Sequence, residues 1–269
     1  MPQISAAIFD WDKTLVESME GIRIATNYAL DEMREKGFEV EIGYNEKGYA
    51  QWTAKQTQVR FSSTANEFFD NTFSQFGDDV AAMALDAWRE KMVEVHLDNI
   101  EVLEGAAKTL SSLLQKGIPV AIVSNKDEDL LKEEVAYVMG TDAENIIVKG
   151  AVPGHKGKPY PDPIFDALRQ LNVSAASSVW MVGDSVSDVK AGVKSGSYPI
   201  LFSSTNCAAV KALQNDPEKG SVVSGKDVGF VENHATLQQL IATSEIVPTQ
   251  PYDPANNPRF VCKAPAPGK

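Results

Sequence analysis

The stretch "ISAAIFDWDKTL", residues 4–15, decides how this chain is read. Ile4, Ala6, Ala7, Ile8 and Phe9 make a short run of small and apolar residues, which predicts a buried strand. The run ends in two aspartates one residue apart, Asp10 and Asp12, followed by Lys13 and Thr14. Outward from this point, the next strand is expected at "GIPVAIVSN" (117–125), after the amphipathic helix "GAAKTLSSLLQKG". Short apolar runs then recur as "ENIIVKG", "SSVWMVGD", "YPILFSS" and "VGFVEN", separated by the helical patterns "DEDLLKEEVAYVMG", "DPIFDALRQL", "SDVKAGVKSG" and "HATLQQLIA". This alternation predicts an α/β fold, a Rossmann-like, doubly wound parallel sheet whose ligand crevice lies outside the carboxyl ends of the strands. Asp10, Ser124 and Asp184 each fall at such an end.

Residues 17–97 have a different texture. The patterns "ESMEGIRIATNYALDEMREKG", "TANEFFDNTFSQFG" and "DDVAAMALDAWREKMVEVH" contain no convincing strand and predict an inserted all-helical domain, with "FEVEIGYNEKGYAQWTAKQTQVRF" ambiguous between loop and helix. The expected organisation is a core domain over 1–16 and 98–245, a helical cap over 17–97, and a C-terminal arm over 246–269 whose six prolines favour extended chain.

Composition narrows the classes of function. The chain has 269 residues and 43% hydrophobic content, enough for an ordinary buried core, and its net charge of −12 opposes nucleic acid and anionic membrane as partners. An anionic substrate must then meet local positive charge or a metal. No basic leader and no apolar run of about 18 residues is seen, and Cys207 and Cys262 lie far apart without metal-ligand spacing, so a cytoplasmic protein with free thiols is expected.

Four segments carry groups suited to phosphoryl transfer. In "DWDKT", Asp10 is a candidate carboxylate nucleophile and Asp12 a candidate general acid and base. In "IVSNKD", the Ser124 hydroxyl and the Asn125 backbone N–H precede a helix and can bind phosphate oxygens. "GKPYPDP" offers the Lys158 charge; in "MVGDSVSD", Gly183 permits a tight turn, Asp184 is placed for a divalent cation, and Asp188 lies one helical turn on. Such hard oxygen ligands describe a magnesium site.

These four segments, in this order over about residues 4–202, resemble the haloacid dehalogenase superfamily, and the helical insert between the first and second resembles its helical-cap subfamily, which includes phosphoglycolate phosphatases, β-phosphoglucomutases and phosphonatases. The resemblance implies Asp10 as nucleophile and Asp12 as acid/base, with Thr14, Ser124 and Lys158 around the phosphate. It also implies Mg²⁺ bound by Asp10, the Asp12 main-chain carbonyl and Asp184, supported by Asp188. Superfamily dehalogenases and phosphonatases lack the second aspartate, so Asp12 favours phosphate-ester hydrolysis. Lys13 stands where helical-cap phosphatases commonly have glycine; it either adds charge near the site or faces solvent, and solvent is the expectation. Lys158 is preferred over Lys156 because it directly precedes a proline.

The plainer readings are that an aspartate at a strand end caps a helix and "GDS" is a turn. A calcium loop is a poor rival, since "DWDKT" lacks the further ligands. His96 and His234 are expected at the surface or as caps, His155 in a solvated loop, Trp52 and Trp88 in the core of the cap, and Arg23, Lys55 and Arg60 on solvated faces. The expected function is a Mg²⁺-dependent phosphatase acting on a small phosphorylated metabolite through an aspartyl-phosphate. The rivals are a sugar phosphomutase, a receiver-type phospho-accepting signalling domain, and a binding protein that has lost activity.

Overall fold

The computed structural model describes residues 2–40, 45–53, 64–202 and 228–253. The opening segment forms β1 (Gln3–Ile4) and β2 (Ala6–Phe9), with a break at Ser5. A two-residue strand, β3 (Val16–Glu17), leads into α1 (Met19–Glu35), α2 (Ala65–Phe73) and α3 (Asp78–Val95), and the chain returns through β4 (Glu101–Val102). The remainder alternates: α4 (Ala106–Gln115), β5 (Val120–Asp127), α5 (Glu128–Met139), β6 (Ile146–Ala151), α6 (Asp162–Leu171), β7 (Val179–Gly183), α7 (Val186–Ser195), β8 (Tyr198–Phe202), β9 (Gly229–Val231), α8 (His234–Thr243) and β10 (Glu245–Ile246).

Six strands form one parallel sheet in the order β6-β5-β2-β7-β8-β9. Strand β2 is central because every residue of it is apolar and fully buried, as a strand covered on both faces requires. Its alternation sends Ala7 and Phe9 into a layer with Leu110 and Leu113 of α4, Leu131 and Val135 of α5, and Leu237 of α8. Ala6 and Ile8 face the opposite layer, with Ile164, Phe165 and Leu168 of α6 and Ala191 of α7. The direction of travel reverses around β2: the chain steps out to β5 and β6, then crosses to β7, β8 and β9 on the other side. That switch point opens a crevice at the C-terminal edge of β2, β5 and β7.

The inserted helices pack around their own cluster, in which Trp52, Phe68, Phe69, Phe73 and Trp88 are buried together with Met33 and Met92; Leu130 of α5 is the core residue that joins them. Polar and backbone contacts also link the insert to the sheet domain. Strands β3 and β4 pair antiparallel, Val16 with Val102 and Glu17 with Glu101, and Arg89 of α3 meets Asp127 at 3.2 Å. Strands this short leave no alternating pattern, so no periodicity in the sequence announces them.

At the far end, β10 pairs with β1, and the proline-containing chain beyond it lies on the sheet domain. The Ser174 N–H donates to the Gln250 carbonyl at 2.8 Å and its hydroxyl to the Pro251 carbonyl at 2.6 Å. Lys55, Arg60, Cys207, Cys262 and residues 254–269 lie outside the described residues. Among those described, no helix is long and apolar enough to cross a membrane.

Candidate active site

The chain leaves β2 at Phe9 and winds around one carbonyl: Trp11 O accepts from the N–H groups of Leu15 at 2.8 Å and Val16 at 3.2 Å. This tight loop places Lys13 in the left-handed region, φ 64°. A side chain there costs about 1–2 kcal/mol relative to glycine, which explains physically why glycine suits the position. Lys13 is half-buried and pairs with Glu17 at 2.9 Å, while its charge still acts on Asp184.

The loop carries Asp10 to the sheet edge, where three other segments meet it. Lys158, almost fully buried, places Nζ 2.6 Å from Asp10 Oδ1 and 2.6 Å from Asp188 Oδ1. Asp10, Asp184 and Asp188 each bring a carboxylate oxygen within 4.8 Å of the others. Gly183 makes that convergence possible, since a Cβ there would stand 2.3 Å from Asp188 Cγ. Asp188 also closes the first turn of α7: its Oδ2 accepts from the Ser185 N–H at 2.9 Å, and its own N–H donates to Ser185 Oγ at 3.3 Å. The helix-cap reading of this aspartate therefore holds, and the same residue stands in the acidic cluster.

Three acids against one buried lysine leave a surplus of negative charge, and the ionisations register it. Burial, then Asp188, pushes the Asp10 carboxyl up to about 7, although Lys158 opposes the rise. Asp184 is raised well above the ordinary carboxylate range by burial of its carboxyl and by Asp10 and Asp188. Lys158 is itself driven upward: burial disfavours its charge, but Asp10 and Asp188 more than offset that. A hard divalent cation fits such an oxygen-only cluster, because it would balance the surplus that one lysine leaves.

The other expected residues are placed as follows. Ser124 is buried in β5, its Oγ accepting from the Lys126 N–H at 3.2 Å. The Asn125 side chain clamps the lysine loop, with Oδ1 accepting from the Lys158 N–H at 2.8 Å and Nδ2 donating to the Lys158 carbonyl at 2.9 Å. Gly157 keeps room for that clamp, since a Cβ would come 2.5 Å from Asn125 Oδ1. The Thr14 hydroxyl is buried with no partner among the described residues. Lys156 is exposed and lies over the Tyr160 ring, 4.4 Å from its centroid.

Two histidines stand at helix ends, as expected, but both are buried. His234 begins α8 but is buried: Nε2 sits 2.8 Å from the Thr14 carbonyl and Nδ1 3.2 Å from Thr109 Oγ1, so it braces the loop that follows β2 from beneath. His96 ends α3 and is also buried, 3.2 Å from Glu133 and 3.4 Å from Glu134. In both cases short-range position marked a helix end, and long-range packing covered it. His155 is exposed in its loop, and Arg23 pairs with Glu20.

The residues that sequence reading missed surround Asp12. Lys126 Nζ lies 2.8 Å from Asp12 Oδ1 and 2.6 Å from Glu134 Oε2, and Trp11 Nε1 donates to the same Glu134 oxygen at 2.6 Å. A signal for this was present: Glu134 falls on the buried stripe of α5 with Leu130, Leu131 and Val135, where an acid demands a partner.

Comparison with known proteins agrees with the geometry. The family model of haloacid dehalogenase-like hydrolases matches residues 4–196. A phosphoglycolate phosphatase of Aquifex aeolicus is 29% identical over 72% of this chain and 82% of its own. A phosphonoacetaldehyde hydrolase of Bacillus thuringiensis is 24% identical over 92% and 98%. A solved putative phosphoglycolate phosphatase from Lactobacillus delbrueckii shares the fold, with TM-score 0.68 and 17% identity over 89% of this chain and 98% of that one. With its parallel sheet, its helical insert and its acids gathered at the switch point, the chain belongs to the haloacid dehalogenase-like hydrolases.

Proposed function

We propose that this hydrolase is a phosphatase that cleaves small phosphoric monoesters through an aspartyl-phosphate on Asp10. The observation that carries the reading is the Asp10 carboxylate at the end of β2, buried 2.6 Å from Lys158 within a cluster of three acids. In the first step an Asp10 oxygen attacks phosphorus, the bond to the ester oxygen breaks, and Asp12 gives that oxygen its proton. In the second, Asp12 takes a proton from water as the water oxygen attacks the same phosphorus. The bond to Asp10 then breaks, releasing inorganic phosphate. Thr14, Ser124, Lys158 and the Asn125 N–H serve as phosphate-oxygen partners in this reading.

A bound Mg²⁺ would be held by the Asp10 and Asp184 carboxylates and the Asp12 carbonyl, with Asp188 in support, and would supply neutralising charge for the phosphoryl oxygens. Residues 17–97 act as a cap that excludes water and reads the rest of the substrate, hinged at the β3–β4 pair. Residues 1–16 and 98–245 make up the core in this reading, and 246–269 the arm.

The substrate is a small phosphorylated metabolite. The named relatives make 2-phosphoglycolate the first ester to test, and the retained Asp12 favours an ester over a phosphonate. The test is release of inorganic phosphate from a panel of phosphorylated metabolites, with Mg²⁺ and after chelation. Release that requires Mg²⁺ and vanishes in Asp10→Asn supports the reading. Phosphate returned to a second hydroxyl would make the protein a mutase, and full turnover by Asp10→Asn would refute the nucleophile.

A further inference from the structure

We propose that Lys126, locked in place by Glu134, is a positioning residue that orients Asp12 for proton transfer; this rests on the acid/base reading of Asp12 given above. Lys126 lies near the end of β5 and is buried, as is Glu134, which has no exposed surface at all. Both Glu134 oxygens grip the Lys126 ammonium, Oε1 at 2.9 Å and Oε2 at 2.6 Å. The ammonium then reaches Asp12 Oδ1 at 2.8 Å and Ser18 Oγ at 3.2 Å, while the Ser18 hydroxyl donates to the same Asp12 oxygen.

The consequence for Asp12 is geometric. Among the described residues, both of its side-chain partners fall on Oδ1, and Oδ2 carries none. A carboxyl tied by one oxygen to a fixed ammonium and a fixed hydroxyl cannot turn freely about its last bond, so its other oxygen is aimed. Aim matters, since a misplacement of about 1 Å can lower a rate roughly 10²-fold.

The pair has no convincing rationale as a stabiliser. Desolvating two charges commonly offsets their attraction, and a same-shaped replacement without charge is often neutral for stability. The pair is also held from several directions. Trp11 Nε1 of the catalytic loop donates to Glu134 at 2.6 Å, and His96, at the end of α3, stands 3.4 Å from it. Ser18 sits at the N-cap of α1. The anchor of Asp12 thus draws on the sheet, a core helix and both ends of the helical insert.

The test exploits leaving groups. p-Nitrophenyl and phenyl phosphate share a ring but differ in how much the departing oxygen needs a proton, and kcat/KM covers the steps through phosphoenzyme formation. The ratio of kcat/KM for p-nitrophenyl over phenyl phosphate is measured in wild type, Asp12→Ala, Lys126→Met and the double variant Lys126→Met/Glu134→Gln, with folding checked by circular dichroism. The double variant removes both charges of the Lys126–Glu134 pair, so it guards against a single variant that fails to fold.

Loss of the proton donor raises the ratio in Asp12→Ala. The proposal expects both Lys126 variants to raise it too, by about tenfold or more, a part of the roughly 10²–10⁴ that general acid catalysis supplies. A merely structural role would lower both substrates alike and leave the ratio at the wild-type value, which would overturn the proposal. If Asp12→Ala itself keeps the wild-type ratio, the acid/base reading fails first, and the two failures are told apart.

Discussion

Two buried lysines flank the loop that carries Asp10 and Asp12, and each is gripped by two carboxylates. Lys158 stands 2.6 Å from both Asp10 and Asp188; Lys126 stands 2.8 Å from Asp12 and 2.6 Å from Glu134. They differ in what surrounds the pair. Around Lys158 a third acid, Asp184, approaches, opposed besides Lys158 only weakly by the Lys13 charge, so Asp10 is held up to about 7 and Asp184 is raised as well. Around Lys126 the surplus is smaller, two acids against one lysine. Burial works to raise Glu134, but Lys126, His96 and Trp11 more than offset it and leave the carboxyl below its usual range. In the proposed reading the cluster with the larger surplus takes up a cation and a phosphoryl group, whereas the one around Lys126 holds Asp12 still. Burial of charge alone does not mark a binding site; the unbalanced remainder does.

The sharpest way to break this contrast is to remove the charged groups one at a time. Asp10→Asn keeps the shape and removes the attacking charge, so turnover should fall to background in a phosphate-release assay. Asp12→Ala should cost roughly 10²–10⁴ in steady-state rate, with retained circular dichroism. Lys158→Ala should lower kcat by about 10²–10³, the usual loss for one donor facing a developing negative charge. If Lys158→Ala cost less than the Lys126→Met change, the assignment of the two clusters would be reversed.

A second prediction concerns pH and metal. In the metal-free protein the folded Asp10 carboxyl binds its proton up to about 7, against an ordinary value of 3.8. Its folded pKa lies above its unfolded one, so its contribution to stability is present at low pH and declines as pH rises from about 4 to 7. Mg²⁺ needs these carboxylates ionised. Thermal denaturation should therefore show a larger Tm increase on adding Mg²⁺ at pH 8 than at pH 5. An equal increase at both values would mean the acids do not hold the ion.

The smallest expected effect tests Lys13. Its replacement by Gly relieves the left-handed strain and removes a half-exposed pair with Glu17, so turnover should change by less than about threefold. A much larger loss would show that its charge serves the Lys158 cluster.

How much of this could be read in the sequence follows from distance along the chain. Asp10, Lys158, Asp184 and Asp188 were readable because each sits in a short pattern whose chemistry is local: an apolar strand that stops at an acid, a lysine before a proline, a Gly-Asp turn with a second acid one helical turn on. The parallel, doubly wound class of the sheet followed from alternation; the spatial order of its strands did not. Lys126 with Glu134 was not readable in the same way, because its meaning lies in contacts with Trp11 and Asp12 more than a hundred residues away. Asn125 was expected to use its backbone; its side chain proved to be a clamp on the lysine loop, a role only the folded loop reveals. His234 reads as a helix start and acts as a brace beneath Thr14, for the same reason.

In the proposed reaction Asp10 becomes covalently phosphorylated while Asp12 handles protons. The most direct measurement is intact mass spectrometry of Asp12→Ala, quenched in acid after incubation with Mg²⁺ and p-nitrophenyl phosphate, followed by peptide mapping. A good leaving group needs little help to depart, whereas water attacking the phosphoenzyme lacks its base, so phosphate should accumulate. The account predicts one added phosphoryl group on the peptide containing Asp10, absent from Asp10→Asn/Asp12→Ala. An adduct on another residue, or an Asp12→Ala protein that turns over at a near-normal rate, would contradict it.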